Sequence, residues 1–194
     1  MSTLAYQDIK GLIDERNLVA PADPGCIGPA SYELRIGSAL MLGDRESKPI
    51  AIGQEFVMRP FSHLLIGTLE QVNMPDDLAA DLSLKSKFGR SGFFPWYQGF
   101  VDPGYQGHLT LSVVNMSSHP VLLKGGMGMC HIIFRKLSGS TSKAYDGEYN
   151  RSRTATGPIG GGTLIFGAPL GDLASAGFNG IMSGVAQGLV SGGG

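Results

Sequence analysis

The chain has 194 residues, with 15 lysines and arginines against 16 aspartates and glutamates. This length predicts one domain with a substantial core, or one domain and an appendage, and the two cysteines, Cys26 and Cys130, are too few for a disulfide-stabilised secreted fold. The formal net charge of −1 excludes a global basic field, so we expect no nucleic-acid partner.

The N-terminal segment predicts a cytoplasmic protein that begins with a short helix. Residues 1–10 are polar and lack the basic and apolar regions of a secretory signal. Over residues 4–18 the apolar side chains recur near helical spacing, which predicts one amphipathic helix. Ser2 or Thr3 is the expected N-cap, and Pro21 closes the segment.

After Pro21 the sequence changes to short apolar runs separated by Gly, Pro and Asp, a spacing typical of strands joined by turns. These runs cover residues 31–36, 39–42, 55–58, 64–69, 78–84, 108–115, 121–123 and 129–137. They predict a mainly β fold, an antiparallel barrel or sandwich. Polar and apolar side chains alternate at the start of the run 108–115, so His108, Thr110 and Ser112 share one face of a half-buried strand.

The composition changes abruptly near residue 158, which predicts a domain over residues 1–158 and a separate tail over residues 159–194. The last 38 residues contain 13 glycines and one charged residue, Asp172. Glycine recurs at every fourth position, at Gly180, Gly184, Gly188 and Gly192. On a helix these glycines form a bare stripe that needs a partner surface; the alternative is a flexible low-complexity tail. A membrane is not the expected partner, because Asp172 and other polar residues interrupt the apolar stretch.

Four segments carry a resemblance to a known family and occur in that family's order. They are residues 27–37 (IGPASYELRIG), 68–70 (TLE) with 74–80 (MPDDLAA), 85–92 (KSKFGRSG) and 99–111 (GFVDPGYQGHLTL). Together they resemble the dCTP deaminase and dUTP diphosphatase superfamily, more closely its deaminase branch, over residues 4–158. The resemblance implies a dUTPase-like distorted antiparallel β barrel of the β-clip type, assembled as a homotrimer with nucleotide sites between subunits.

The resemblance also implies which residues contact a nucleotide. Asp102 precedes a Pro-Gly turn, where its carboxylate can orient a water, and it is the candidate catalytic residue. Tyr105 offers a flat face to a deoxyribose. Lys85, Ser86 and Arg90 supply cationic and hydroxyl donors for a triphosphate. From the residues alone, the alternatives are a turn aspartate, a barrel-rim aromatic and a solvated loop.

Several positions depart from the family's pattern. Ser112 stands where the deaminase signature carries a glutamate that shuttles a proton from water to the leaving ammonia, which a serine hydroxyl cannot do at neutral pH. Glu33 replaces an aspartate, and Cys130-His131 replaces a Gly-Gln pair, although His131 can still donate a hydrogen bond to phosphate. The C-terminal arm keeps Tyr149 and resembles the segment that closes over the triphosphate.

These departures and the glycine-rich tail predict a homotrimer that keeps the fold, has lost deaminase catalysis, and attaches through residues 159–194 to a larger assembly such as a virus particle. No metal site or cofactor is expected in that case. The alternative is a Mg²⁺-dependent dUTP or deoxynucleoside triphosphate diphosphatase, in which Asp102 orients the water and the substrate phosphates hold most of the magnesium coordination. A dCTP deaminase ranks third.

Overall fold

The computed structural model describes residues 2–41, 48–95 and 99–154. Its longer strands follow the predicted apolar runs, whereas five described strands of two or three residues do not correspond to any of them. Two α-helices in this part of the chain are α1 (Tyr6–Arg16) and α2 (Ser86–Arg90). The strands are β1 (Ser2–Thr3), β2 (Val19–Ala20), β3 (Tyr32–Met41), β4 (Lys48–Pro49), β5 (Glu55–Met58), β6 (His63–Asn73), β7 (Leu78–Leu84), β8 (Phe93–Pro95), β9 (Phe100–Val101), β10 (Gln106–Asn115), β11 (Val121–Lys124) and β12 (Gly128–Lys136).

Ten of these described strands form one antiparallel sheet. Its main path runs β8-β10-β6-β3-β12-β7-β9, and β1, β2 and β4 pair with β12, β6 and β3. Strands β9 and β10 lie far apart along this path, yet only residues 102–105 separate them in the chain. The sheet therefore curls into a half-barrel, and the mainly β antiparallel fold that the sequence predicts is confirmed.

Strand β10 shows how the alternation in the sequence becomes burial. Leu109, Leu111 and Val113 are at most 8% exposed, and each such burial contributes roughly 1.5–3 kcal/mol. The side chains between them, including Thr110 and Ser112, are partly exposed. One face of β10 thus packs on the core, and the predicted polar face is confirmed.

Strand β3 joins two apolar runs that the sequence separates. Gly37 lies between them, where the pairing with β6 shifts register between Ile36 and Ser38. A Cβ at position 37 would lie 2.6 Å from the Cα of Leu69, so only glycine allows this approach of the two backbones. What the sequence presents as a break is a β-bulge within one strand.

Helix α1 begins later than predicted, and neither Ser2 nor Thr3 caps it. Those two residues form β1 and pair with Lys136 and Arg135 of β12. The N-cap is Ala5, whose backbone N–H donates to the Asp8 carboxylate at 3.1 Å. The prediction of a serine or threonine cap is wrong because pairing with β12 holds their backbone extended. The helix ends at Asn17 in the left-handed conformation, and Ile9 is fully buried.

A buried ion pair links β3 to β6. Glu70 is fully buried, and its carboxylate accepts hydrogen bonds from the Arg35 backbone N–H at 2.8 Å and from Arg35 Nε at 2.5 Å. Arg35 also donates to Asp23 at 2.8 Å. Burial raises the pKa of Glu70, and the hydrogen bonds from Arg35 oppose that rise. Arg35 thus supplies the positive charge beside Glu70, a charged side chain that is buried in the described part of the sheet.

The glycine-rich tail, residues 159–194, and the predicted boundary at residue 158 lie outside the described residues. The two-part division and the glycine zipper therefore stay predictions. Among the residues that the structure does describe, no helix is both long and apolar enough to cross a membrane.

Candidate functional site

Asp102 opens a tight turn between β9 and β10. The Tyr105 N–H donates to the Asp102 carbonyl at 3.2 Å, and Gly104 has a φ of +86°. Proline at the second position and a left-handed glycine at the third are typical of a type II turn. The turn is fixed to its surroundings, because the Gly104 N–H donates to the Met74 carbonyl at 3.1 Å. Asp102 itself is exposed, so its carboxylate is free to meet a substrate.

Tyr105 lies beneath this turn and packs against the C-terminal arm, residues 141–154. Only 8% of its surface is exposed, and its ring centroid lies 5.8 Å from that of Tyr145. The Tyr105 hydroxyl donates to the His108 carbonyl at 2.6 Å, and burial raises the pKa of Tyr105 to about 12. The arm continues along the start of β10, where the Arg151 N–H donates to the Gln106 carbonyl. The predicted sugar contact of Tyr105 therefore depends on the small part of the side chain that stays accessible.

The predicted phosphate loop is a short helix and not an irregular loop. Lys85 is the N-cap of α2, and Ser86 and Arg90 are both exposed on it. Phe88 anchors the helix, because it is 5% exposed and its ring lies 5.6 Å from that of Phe93 in an edge-to-face contact. The buried aromatic pair leaves the polar residues facing solvent, where they can receive a phosphate.

Lys85 is already held by a carboxylate. Its Nζ forms an ion pair with Glu33 of β3. A Cβ at Gly128 would overlap the Glu33 carboxylate, so glycine at that position makes room for the pair. His131 of β12 lies opposite Glu33 in the sheet, and its Nδ1 is 3.3 Å from the Ser31 hydroxyl. The structure thus brings two predicted phosphate contacts to Glu33: Lys85, which directly follows β7, and His131 on the neighbouring β12.

Ser112 forms a contact that the sequence does not indicate. Its hydroxyl oxygen lies 2.7 Å from Nε2 of His63, at the start of β6. Burial lowers the pKa of His63, which favours the neutral ring at pH 7. The position where the family pattern has a glutamate therefore carries a hydroxyl bound to an imidazole.

The predicted site residues fall into two groups within one chain. Lys85, Ser86, Arg90 and His131 lie around the ends of β7 and β12, whereas Asp102, Tyr105 and Tyr149 lie at the turn before β10 and on the arm; Tyr149 is 43% exposed. A cavity of about 10 Å³ beside β10, lined mainly by apolar side chains, has room for about one water and not for a nucleotide. A wider groove of about 490 Å³ runs along α1 and includes none of these residues.

Sequence reasoning missed three polar partners: Ser31, His63 and the role of Glu33. Each acts across a long separation in sequence, since Glu33 and Lys85 are 52 positions apart and His63 and Ser112 are 49 apart. No local pattern marks such pairs, because they depend on strand pairing. A family-model match describes the chain as dCTP deaminase-like over residues 3–137.

Individual relatives agree with that match. A dUMP-forming dCTP deaminase of Clavibacter michiganensis is 35% identical over 178 residues, which cover 80% of this chain and 87% of the relative. A dCTP deaminase of Thermococcus gammatolerans is 35% identical over 146 residues, 73% of this chain and 88% of the relative. The crystal structure of 2'-deoxycytidine 5'-triphosphate deaminase from Agrobacterium tumefaciens aligns with a TM-score of 0.58 at 22% identity. That alignment covers 69% of this chain but 47% of the solved chain, and it supports the dUTPase-like fold alone.

These relatives overturn two expectations. The prediction of a structural trimer without enzymatic activity is wrong, because relatives with this degree of identity along most of the chain are named as deaminases. The preference for a diphosphatase over a deaminase is wrong for the same reason. The expectation of lost deaminase chemistry depended on Ser112, and in the structure the hydroxyl of this residue lies at hydrogen-bonding distance from the His63 imidazole. These relatives give no support to attachment to a larger assembly such as a virus particle, and the tail expected to mediate it lies outside the described residues.

Within the described residues, no cluster of three or more His, Cys, Asp or Glu side chains is arranged to hold a metal ion. In the sequence-based alternative, Mg²⁺ is held mainly by the substrate phosphates. Asp102 and the hydroxyl and cationic donors near α2 are the groups that fit such a complex.

Proposed function

Because the chain belongs to the dCTP deaminase-like family, we propose that it deaminates dCTP and releases pyrophosphate, so that the product is dUMP. The observation that carries this proposal is the 35% identity to a dUMP-forming dCTP deaminase over 80% of the chain. The deamination replaces the amino group at C4 of the cytosine ring with oxygen from water. The second step joins water to the α-phosphorus and frees the two outer phosphates as pyrophosphate.

The phosphate end of the substrate would bind near α2. Lys85 and Arg90 supply positive charge, and Ser86 supplies a hydroxyl donor, on a helix that a buried Phe88 holds in place. Glu33 fixes the Lys85 ammonium while leaving two of its three N–H bonds for phosphate oxygens. His131, one strand away, extends this donor set.

Asp102 would act on the pyrophosphate-releasing step. Its exposed carboxylate stands on a rigid turn, which suits a group that must orient one water without moving. A Mg²⁺ ion bound to the phosphates would supply charge neutralisation at phosphorus. As the family pattern implies, Tyr105 would contact the deoxyribose, and Tyr149 would belong to the arm that closes over the triphosphate.

The separation of the two residue groups favours a homotrimer. Within one described chain, the groups around Lys85 and Asp102 stand at different parts of the curled sheet, and the cavity beside β10 is too small for a nucleotide. A site completed by a neighbouring copy would unite the phosphate donors of one subunit with the Asp102 turn of another. Light scattering on the purified chain tests this arrangement, and a monomer that turns over dCTP would refute it.

The activity is tested by measuring ammonia and pyrophosphate release together. The full chain is incubated with Mg²⁺ and dCTP, and with dUTP, dTTP, dATP and dGTP as competing choices. We expect equal release of ammonia and pyrophosphate from dCTP, with dUMP as the nucleotide product. Ammonia release with dUTP as product would refute the second step, and no ammonia from any substrate would refute the whole proposal.

Asp102→Asn separates the two steps. We expect pyrophosphate release to fall by about 100-fold or more, because the asparagine amide cannot accept a proton from water as the aspartate carboxylate can. Binding of dCTP, measured by calorimetry, should change little. The same variant tests the alternative that Asp102 is only a turn residue, because that alternative predicts unchanged pyrophosphate release.

A chain truncated after residue 158 tests the division into domain and tail. We expect this variant to fold and to retain turnover of dCTP, because the family match ends at residue 137. Loss of folding in circular dichroism would show that residues 159–194 belong to the domain.

A further inference from the structure

The contact between Ser112 and His63 lies on the open face of the sheet. Ser112 alternates with the buried Leu111 and Val113, so its hydroxyl points away from the core. His63 lies opposite Val114 in the antiparallel pairing of β6 and β10, one diagonal step from Ser112. This register places His63 Nε2 at 2.7 Å from the Ser112 oxygen, a good hydrogen-bond distance.

The Ser112 hydroxyl and the His63 ring are hydrogen-bond partners of each other. In the described residues, Ser112 is the hydrogen-bond partner of the His63 ring, and no charged side chain contributes to the ring's electrostatics. On β10 the other titratable side chain of this face, His108, is bound through Nδ1 to the Thr68 carbonyl. The strand β8 beside Val114 carries Phe93, Phe94 and Pro95, which do not titrate.

This arrangement can move a proton in both directions. A neutral imidazole accepts a proton at Nε2 from the serine hydroxyl, while that hydroxyl accepts one from a water on its open side. A lone serine cannot do this near neutral pH, but a serine bound to a histidine can, because the imidazole holds the proton between the steps. A hydrogen bond with only a structural role does not need access to solvent. Ser112 and His63 are both partly exposed, as a pair that exchanges protons with water must be.

We propose that Ser112 and His63 together form the proton relay of the deamination step, with Ser112 facing the cytosine ring and His63 acting through it. This inference rests on the proposed dCTP deamination. His63 is then a positioning residue, because it contacts Ser112 and not the substrate. Its presence accounts for deamination in a chain whose residue 112 has no carboxylate.

The atoms balance without a further reactant. As the bond from water oxygen to C4 forms, one water proton passes to the Ser112 oxygen and the serine proton passes to His63 Nε2. The second proton of the water passes to N3 of the ring. When the C4–N bond breaks, its electron pair leaves with nitrogen, and the imidazolium returns its proton through Ser112, so that ammonia departs and a C4 carbonyl remains.

The relay is tested with the full chain, dCTP as substrate, and ammonia release across pH 5 to 9. The variants are His63→Gln, Ser112→Ala and the double variant, with His119→Gln as the matched control. His119 lies in the exposed loop after β10, where its Nδ1 is 3.2 Å from the Ser118 hydroxyl. We expect kcat to fall by about 100-fold or more in each relay variant, with KM nearly unchanged.

Two further results distinguish a relay from a structural contact. The wild type should lose activity at acidic pH with the titration of one group, and His63→Gln should remove that acidic limb while the His119 control keeps it. The double variant should be no slower than either single variant, because both remove the same unit. If His63→Gln does not fold, the wild-type pH profile and Ser112→Ala decide the matter.

The outcomes separate this proposal from the proposed function. Ammonia release by the wild type with full activity in His63→Gln, or an acidic limb that is unchanged in His63→Gln, overturns the relay and leaves the deaminase proposal standing. No ammonia from the wild type on any deoxynucleotide overturns both. Retained pyrophosphate release in the relay variants is expected, since Asp102 serves that step.

Discussion

Arg35→Met removes the cation that lies beside a fully buried carboxylate and leaves a shorter, unbranched apolar side chain. Glu70 is 0% exposed, and Arg35 supplies it with one backbone and one side-chain hydrogen bond. The backbone N–H stays in the variant, but the guanidinium and its charge are lost. Asp23, the other partner of Arg35, is 45% exposed and is solvated by water once the arginine is gone.

The magnitude follows from what Glu70 can do without its partner. Removing one member of a buried pair costs about 3–5 kcal/mol. Glu70 limits this cost by taking up a proton, and protonating a carboxyl of ordinary pKa costs roughly 1.4 kcal/mol for each pH unit above about 4.3. We therefore expect a loss of roughly 3–4 kcal/mol in the free energy of unfolding at pH 7.

The sign of the pH dependence is fixed by the direction of the pKa shift. Burial already raises the pKa of Glu70 in the folded protein, and loss of Arg35 raises it further. A carboxyl whose pKa is higher in the folded than in the unfolded protein binds its proton more tightly in the folded protein. The stability it contributes is therefore present at low pH and is lost as the pH rises. The destabilisation of Arg35→Met should accordingly grow as the pH rises above the ordinary glutamate range, and shrink again towards pH 4.5.

The measurement is urea unfolding followed by circular dichroism at several pH values and a fixed protein concentration. The double variant Arg35→Met with Glu70→Gln should recover much of the stability and lose the pH dependence, because no charge remains buried. Lys10→Met, which breaks the exposed pair of Lys10 with Asp14, should change nothing measurable. An Arg35→Met protein as stable at pH 7 as at pH 5 would refute the reasoning.

Two further predictions concern the site. Gly104→Ala should destabilise the fold by more than about 1 kcal/mol and slow pyrophosphate release. The reason is that Gly104 has a φ of +86° and that the new Cβ would lie 2.7 Å from the Ala144 Cβ. Thermal unfolding measures the loss of stability, and the pyrophosphate assay measures the loss of rate. Gly11→Ala, in α1 with no atom within 4 Å of the new Cβ, should stabilise instead, and a loss there would contradict the comparison. Lys85→Met should raise KM for dCTP about 10-fold to 100-fold through the loss of a charge-assisted hydrogen bond, whereas Lys85→Arg should keep most of the affinity. Equal KM in Lys85→Met and the wild type would remove Lys85 from the phosphate site.

The sequence predicted the strands because burial in a curled sheet demands a pattern that can be seen locally. The run at residues 78–84 has the bounds of β7, and the alternation in β10 gave the correct face for Ser112. Where prediction failed, a contact distant in sequence overrode the local signal. Ser2 and Thr3 pair with β12 instead of capping α1, and Gly37 forms a bulge instead of a break.

The site and the function show the same contrast between features that the local sequence predicts and features that depend on contacts distant in sequence. The residues of the Asp102 turn and of the α2 segment could be named from the sequence, because short motifs carry them. The family itself was also found there, since its four motifs stand in order. What the sequence could not give was the partner of each polar group. The sequence shows a serine at position 112, and only the structure shows that its hydroxyl lies 2.7 Å from Nε2 of His63.

Local spacing thus determined the elements of this protein, its core face and the candidate residues for nucleotide binding, because side-chain periodicity and turn chemistry act over a few residues. Only the tertiary structure decided which charges are paired, that Lys85 meets Glu33, that Arg35 neutralises Glu70, and that an imidazole stands beside Ser112. The physical reason is strand register. It joins residues 35 to 52 positions apart, and a shift of one residue would turn each of these side chains to the opposite face.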